Sequence, residues 1–374
     1  MFAILIHSIV SLPHYPPLHQ PFLYEPTLDI VSLSTLLAQT LVWLKFLASL
    51  VIILFAGTKL ARYGDVIAEK TGLGRIWIGL VLLAAITSAP ELVTGVSSAA
   101  LVGLPNLALG ILLGSCMFNL TILALLDILH RRTPFLSEVK LQHIASAGIG
   151  ILLIAITGGS IFARERLSGL ALEWVGVPSI IILIFYLAAM WIMFRFGRNH
   201  SLPLNNAVPQ YEKVSMKALY FKFALVAAAV IGAGIWVSFI GDEITRTYDW
   251  SASFVGTLFL AIITSMPELV VTIAALRLGA IDMAVADILG ANILDVAHLF
   301  TVDLFYSQGP ILSSVKSVHL ITAGVIIAMS FLVTIGIRFR QKRKTFIIAS
   351  WYTPALIGLY IFGAYALFKG IGSN

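Results

Sequence analysis

The sequence predicts an all-α polytopic membrane protein whose ten transmembrane helices form two inverted five-helix repeats. Composition is the first reason. Of 374 residues, 59% are hydrophobic and 11% charged, and the mean hydropathy is +0.98. A soluble domain carries about 25% charged residues, so too few charges are present to cover a water-facing surface. The second reason is that the apolar residues gather in long unbroken runs, each near the roughly 20 residues that cross a bilayer. The alternating pattern of a membrane β-barrel is absent. The third reason is that short motifs recur at one nearly constant separation. A single cysteine, Cys116, excludes a disulfide scaffold, and the apolar content excludes disorder.

Residues 1–35 read as an N-terminal leader. Residues 1–12 are apolar but lack the basic start of a cleaved signal peptide, and residues 13–29 are proline-rich. The first repeat, 36–196, carries expected spans near 36–58, 75–100, 107–128, 141–162 and 172–196. Residues 197–217 include Asn205, Asn206, Pro209 and Lys213 and read as a cytoplasmic linker. The second repeat, 218–369, carries spans near 218–241, 252–276, 282–305, 315–337 and 346–368.

The net charge of +6 does not point to nucleic acid, because the basic residues lie in short clusters between apolar runs. Such loop charges set orientation in a bilayer. Counting alternate loops places 18 lysines and arginines on one side and 5 on the other, with Lys45 inside the first span. The rich side is expected to be cytoplasmic, with both termini outside and the plasma (inner) membrane as the location.

TSAPE at 87–91 returns as TSMPE at 264–268, an offset of 177. Gly64-Asp65 matches Gly241-Asp242, and Gly79 matches Gly256, at the same offset. GSCMFN at 114–119 returns as GANILD at 290–295, and Asp127 as Asp303, at 176. Five spans per half is an odd number, so the second half enters the bilayer from the opposite side. Inverted repeats of this kind are typical of secondary transporters with a site near the midplane.

Glu91 and Glu268 lie within apolar spans, where an ionised carboxylate costs roughly 2.5–3.5 kcal/mol on insertion scales. Two of them at equivalent positions call for a cation. Pro90 and Pro267 precede them and free the carbonyls of Ile86 and Ile263. Freed carbonyls at membrane depth are tolerated where they line a cavity. Thr87 and Thr264 share the glutamate face, with Ser88 and Ser265 beside them; their paired placement favours ligation over back-bonding to their own helix. Ser115 and Asn119 project together, and their mates are Ala291 and Asp295. Asp287 lies two turns before Asp295 on the same stripe, with His298 just beyond. His298 reads as a packed, hydrogen-bonded histidine, with proton coupling as the sharper reading. Asp127 and Asp303 at span ends read as solvated or capping, and Cys116 as a small core residue. Oxygen-only ligands suit Ca2+, Mg2+, Mn2+ or alkali ions, not zinc or copper.

At these residues the sequence resembles the cation/calcium exchanger superfamily, nearest its sodium/calcium exchanger branch. The matching strings are ITSAPE with GSCMFN and ITSMPE with GANILD, and the resemblance covers about residues 36–368. It implies a central calcium site at Glu91, Glu268, Asn119 and Asp295, with the carbonyls of Thr87 and Thr264. It implies flanking sodium sites at Ser88, Ser115 and Ser265 with the carbonyls of Ala84 and Ala261. The implied activity is secondary active antiport of Ca2+ for Na+ by alternating access, the first and sixth spans sliding over spans 2, 3, 7 and 8. The family's glycine before Thr-Ser is Ile86 and Ile263 here, its serine at 291 is Ala291, and an asparagine often found near the start of the third and eighth spans is Ile111 and Asp287. These departures keep an H+-coupled divalent cation exchanger in view, with Asp295 taking a proton when calcium is bound.

No cofactor is expected, only transported Ca2+ and Na+ or H+, and the partners are inorganic cations and the lipid bilayer. The sequence leaves the oligomeric state open and accommodates a monomer. A metallohydrolase is disfavoured because no two of the eight histidines pair on a helix, so the chain is not read as an enzyme. A passive channel is disfavoured because the polar residues cluster at one depth. The charge bias gives a direct test of orientation. A cysteine placed in the 197–217 linker, with Cys116 replaced, resists an impermeant thiol reagent in intact cells; ready labelling there inverts the topology.

Overall fold

The computed structural model describes residues 27–70, 84–131, 133–167, 169–197 and 215–370. The expected linker falls almost wholly outside them, as do residues 75–83 of the second expected span and most of the leader. The chain divides into a short unit, Met1–Leu41, and a compact unit, Val42–Asn374. The described part of the first unit is helical, and within it the Thr40 hydroxyl donates to the Leu36 carbonyl at 2.8 Å.

Helix α1 (Thr27–Lys70) begins ahead of the expected start at 36. A helical stretch at 84–87 leads into α2 (Ala89–Ala100). There follow α3 (Pro105–Leu129), α4 (His143–Phe162), α5 (Val177–Gly197) and α6 (Met216–Tyr248). The second half continues with α7 (Ala252–Thr264), α8 (Met266–Arg277), α9 (Ile281–Phe305), α10 (His319–Phe339) and α11 (Tyr352–Phe368). Six of these, α1, α3, α4, α6, α9 and α10, contain stretches long and apolar enough to cross a membrane. The pair α7 and α8, bent by 45°, makes a seventh if it is one span. Helices α5 and α11 are apolar but shorter.

Two expected spans start later than the hydropathy suggests. Residues 172–176 are not helical: Ala171–Leu172 pairs antiparallel with Val175–Gly176. Glu173 turns the ribbon in a left-handed conformation, φ 57, and Pro178 starts the helix behind it, where its missing N–H is no loss. The last span starts at Tyr352, not near 346, because Ser350 and Thr353 are drawn onto Asp127.

Helix α3 is the most enclosed; Leu112, Leu113, Met117 and Leu120 on it are fully buried and pack in one cluster with Ile288, Val296 and Leu299 of α9. It also crosses α7 at very short range. A Cβ at Gly110 would lie 3.0 Å from the Ser253 carbonyl oxygen, and one at Gly256 would lie 3.2 Å from the Gly110 Cα. Only glycine permits this backbone approach, the usual device where helices pack in lipid. The turn from Gly256 to Leu260 is π-helical, a local widening common beside functional sites. Leu44, Leu47 and Phe55 on α1, Ile184 and Leu187 on α5, and Phe221 and Leu225 on α6 are exposed. An outward apolar belt of that kind faces lipid in a membrane protein. Lys45, the charge inside the first span, is neutralised by Glu243 of α6, both of whose oxygens it reaches at 2.8 Å.

The contacts that tie the fold recur in pairs 176 residues apart. Asp127 Oδ1 accepts from Phe135 N at 2.9 Å and Asp303 Oδ1 from Ile311 N at 2.7 Å. Pro134 and Pro310, ahead of those amides, share φ −58 and ψ 120. Lys140 N donates to Asp282 at 2.9 Å, and Lys316 N to Asn106 at 2.8 Å. Gly103 and Gly279 turn the chain after α2 and α8 at φ 76 and φ 72.

Asp127 and Asp303 are capping residues, and both are buried, not solvated. Each also holds the lead-in to the last helix of the other half. Asp303 Oδ2 accepts from Gly176 N at 2.8 Å, just before α5. Asp127 accepts from Ser350 N and Oγ, Tyr352 OH and Thr353 Oγ1 at 2.7–2.8 Å. Lys344 turns inward to donate to the carbonyls of Asp127 and Ile348, and Arg340 donates to the Val139 carbonyl at 3.1 Å. The basic cluster at 338–344 is therefore partly structural. Burial holds the Lys344 ammonium below its ordinary pKa, with Asp127 pulling the other way.

Removing the charge at Asp127 exposes how much this clasp matters. Asp127→Asn turns an amide N–H toward donors and is expected to destabilise the protein by about 3 kcal/mol. Asp303→Asn, with fewer donors, is expected to cost less. Melting of the purified protein in detergent checks this, and a smaller shift for Asp127→Asn than for Asp303→Asn refutes it.

Candidate cation-binding site

The site begins with two broken helices. Pro90 and Pro267 have no N–H to give the carbonyls four residues back, so each helix opens one residue before the Xaa-Pro step. Ser88 takes φ −82, ψ 9 and Ser265 takes φ −86, ψ 11. Main-chain bonds bracket both breaks alike: Ser88 N to Ala84 O at 2.9 Å, and Ser265 N to Ala261 O at 3.0 Å. The breaks turn the serine hydroxyls across the molecule. Ser265 Oγ donates to Glu91 Oε1 at 2.8 Å, and Ser88 Oγ donates to Glu268 Oε1 at 3.2 Å. Ser115 Oγ, from α3, also reaches Glu91 Oε1 at 3.5 Å. Each half thus supplies a hydroxyl to the carboxylate of the other.

Glu91 is 1% exposed and Glu268 0%. Their second oxygens, Oε2 in both, have no hydrogen-bond partner, and neither do both polar atoms of Asn119 and both carboxylate oxygens of Asp295. Buried polar atoms left without partners are rare, because each costs about 1–3 kcal/mol. A row of them, all but one oxygen, matches the donor set of a hard cation.

Not every expected ligand is offered. The Thr87 hydroxyl bonds back to Ala84 O at 3.2 Å, and the Thr264 hydroxyl to Leu260 O and Ala261 O at 3.1 and 3.2 Å. The threonine hydroxyl protons are thus turned to their own helices, which leaves their hydroxyl lone pairs and their carbonyls to contribute. The carbonyls of Ala84 and Ala261 each accept both a threonine hydroxyl and a serine amide, which occupies both lone pairs in this conformation. His298 is buried, but its Nδ1 has no hydrogen-bond partner and lies 4.0 Å from Asp295 Oδ1; the expected hydrogen-bonded histidine is not what forms. Asp287 is 1% exposed with both oxygens unpartnered. Among the described residues, no three carboxylate, imidazole or thiol groups converge as a metal cluster. Serine hydroxyls cap Glu91 and Glu268 individually.

Sequence reasoning missed Asn292. Its amide donates to Cys116 O at 3.3 Å, and the Cys116 thiol reaches Asn292 O at 3.6 Å. The two are repeat mates, so they meet where the halves cross, and Cys116 is more than a core filler. The signal was an amide inside an apolar span at the mate of the lone cysteine. Thr94, Ser98 and Thr257 were also missed; each buries an unpartnered hydroxyl.

The family described as sodium/calcium exchanger protein matches residues 41–199 and 218–370. The inner membrane protein YrbG of Escherichia coli is 24% identical over 273 residues, 71% of this chain and 80% of that protein. An uncharacterized membrane protein of Methanocaldococcus jannaschii is 23% identical over 330 residues, covering 87% and 97%. Among solved structures, native YfkE superposes with a TM-score of 0.61 at 17% identity over 90% of this chain and 96% of its own. The sodium-calcium exchanger NCX_Mj superposes with 0.55 at 22% identity over 87% and 98%. These likenesses show a shared fold, and the matched family spans most of the sequence: the chain belongs to the sodium/calcium exchanger protein family.

Proposed function

We propose that the protein is a secondary active antiporter that exchanges Ca2+, or a similar divalent cation, for Na+ by alternating access. The observation that carries this reading is the crossed pair Ser265–Glu91 and Ser88–Glu268, with an unpartnered oxygen left on each glutamate. The family and the likeness to NCX_Mj, a sodium-calcium exchanger, support it. Glu91, Glu268, Asn119 and Asp295, with the carbonyls of Thr87 and Thr264, replace the water of the divalent ion. Ser88, Ser115 and Ser265 hold the coupling ion, with the carbonyls of Ala84 and Ala261 released as the helices shift. No step makes or breaks a covalent bond, so no catalytic residue is assigned.

The ten-helix, two-repeat architecture, with units 36–196 and 218–369 joined by 197–217 and preceded by the leader, belongs to the same proposal. Contacts recurring 176 residues apart support it, as does the basic bias that puts both termini outside. Helices α1 and α6 are the moving elements. Gly57 of α1 lies against Pro267, and Gly234 of α6 against Val93 and Thr94, so each glides on the glutamate helix of the opposite half.

A second reading, H+ in place of Na+, is favoured by one observation. Position 291 has no hydroxyl, and the carbonyls of Ala84 and Ala261 are engaged, which thins the sodium ligands. Calcium-45 uptake into vesicles loaded with Na+, K+ or only a proton gradient decides between the two, and uptake needing no counter-ion points to a channel.

Three substitutions follow. Glu91→Gln and Glu268→Gln keep shape and remove one charge each. Each is expected to lose about 3 kcal/mol of cation binding, roughly a hundredfold in exchange, while the protein still inserts. Near-normal exchange in Glu268→Gln removes the two-carboxylate site. Ala291→Ser is expected to steepen the dependence of exchange on external Na+; an unchanged sodium dependence places the coupling ion elsewhere.

A further inference from the structure

Among the described residues, Asp287 is the buried carboxylate that neither the central site nor the clasps at Asp127 and Asp303 use. It lies in the second turn of α9, 1% exposed, and neither oxygen has a partner. Its neighbours nearer the helix start are treated differently. Asp282, in the first turn, is held by Lys140 Nζ at 3.3 Å and His143 Nε2 at 3.2 Å. Glu268, on the neighbouring helix α8 that packs against α9, is another anion. A desolvated carboxylate with no partner gains nothing from the fold. Asp295 is eight residues on, about 12 Å along the helix axis. A calcium ion reaches its ligands at about 2.3–2.6 Å, so one ion does not touch Asp287 and Asp295 together.

The equivalent position in the first half is Ile111. It is fully buried in an apolar cluster with Leu107, Val237, Ile240 and Leu260. In an inverted repeat the starts of α3 and α9 face opposite sides of the membrane. The carboxylate at 287 therefore flanks one approach to the centre, and a packed isoleucine flanks the other.

We propose that Asp287 is a separate station for a hydrated hard cation, on the route between the Ile281 end of α9 and the Glu91–Glu268 pair, with no counterpart on the opposite route. It rests on the antiport reading above. A lone carboxylate leaves the ion most of its water, so it is held weakly and handed on to Glu268. The protein then draws cations more readily from the α9 side, which the loop charges make cytoplasmic.

Oriented vesicles test this, with the α9 side fixed by labelling of Leu278→Cys in a Cys116→Ser background. Asp287→Asn is expected to raise the calcium concentration for half-maximal uptake about tenfold at the α9 side and to leave the other side within about twofold. Asp287→Glu, which keeps the charge, should restore the asymmetry. An equal shift at both sides, or none, overturns the proposal. The second measurement is Mn2+ binding to the purified Glu91→Gln, Glu268→Gln double variant, read by electron paramagnetic resonance. One weak site should remain and should vanish when Asp287→Asn is added. A double variant that binds no Mn2+ overturns the station even if Asp287→Asn alone does not fold. Wild type that binds and carries no divalent ion refutes the antiport reading instead, whereas a wild type with a tight site and no weak one refutes only the station.

Discussion

Everything in this fold answers to two glutamates buried at membrane depth. Among the described residues, neither Glu91 nor Glu268 has a basic partner in hydrogen-bond reach; each has a serine hydroxyl from the other TS-x-PE segment. That arrangement forces α2 and α8 together at their breaks, because a hydroxyl bond spans only about 3 Å. The breaks follow from proline, the approach of α3 to α7 follows from glycine, and the enclosing helices follow from the need to keep the polar centre out of lipid. A cation completes the balance of charge. Without one, the site is a cluster of carboxylates and unpaired oxygens that the low dielectric penalises.

Much of this was legible in the sequence, and the reason is local. A Pro-Glu step inside an apolar run announces a break and a buried charge together, and its return at an offset of 177 announces the second half. The sequence alone puts Glu91 and Glu268 at equivalent positions, and the structure buries both. What stayed hidden are contacts between residues far apart in the chain. Ser265 to Glu91, Cys116 to Asn292 and Ser350 to Asp127 leave no periodic trace. Neither does the direction of a hydroxyl, so Thr87 and Thr264 read as ligands through side chains that in fact bond their own helices. The ribbon at 171–176 was hidden for another reason: its residues are as apolar as a span, and only the left-handed turn at Glu173 and the proline at 178 mark it.

The halves agree in backbone and differ in chemistry. Serines 88 and 265 have nearly the same dihedrals, and prolines 134 and 310 share theirs. The positions that differ are polar or ionisable on one side only: Ser115 against Ala291, Asn119 against Asp295, Ile111 against Asp287. Under the proposed antiport, a symmetric scaffold supports two related conformations, and the unequal side chains are where a preference for one ion would be written.

The clasp at Asp127 has a consequence for how the protein is made. Asp303 closes on Gly176, a residue already synthesised when it appears. Asp127 has to wait for Ser350, Tyr352 and Thr353, over 220 residues downstream. At translation speeds of about 5–20 residues per second, that interval is on the order of tens of seconds. During it the nascent first half carries a carboxylate whose main partners do not yet exist, at the end of a helix already threaded into the bilayer. The contacts that complete the Asp127 clasp therefore form only after Ser350, Tyr352 and Thr353 have been made, whereas its bond to Phe135 can form as soon as the loop after α3 exists.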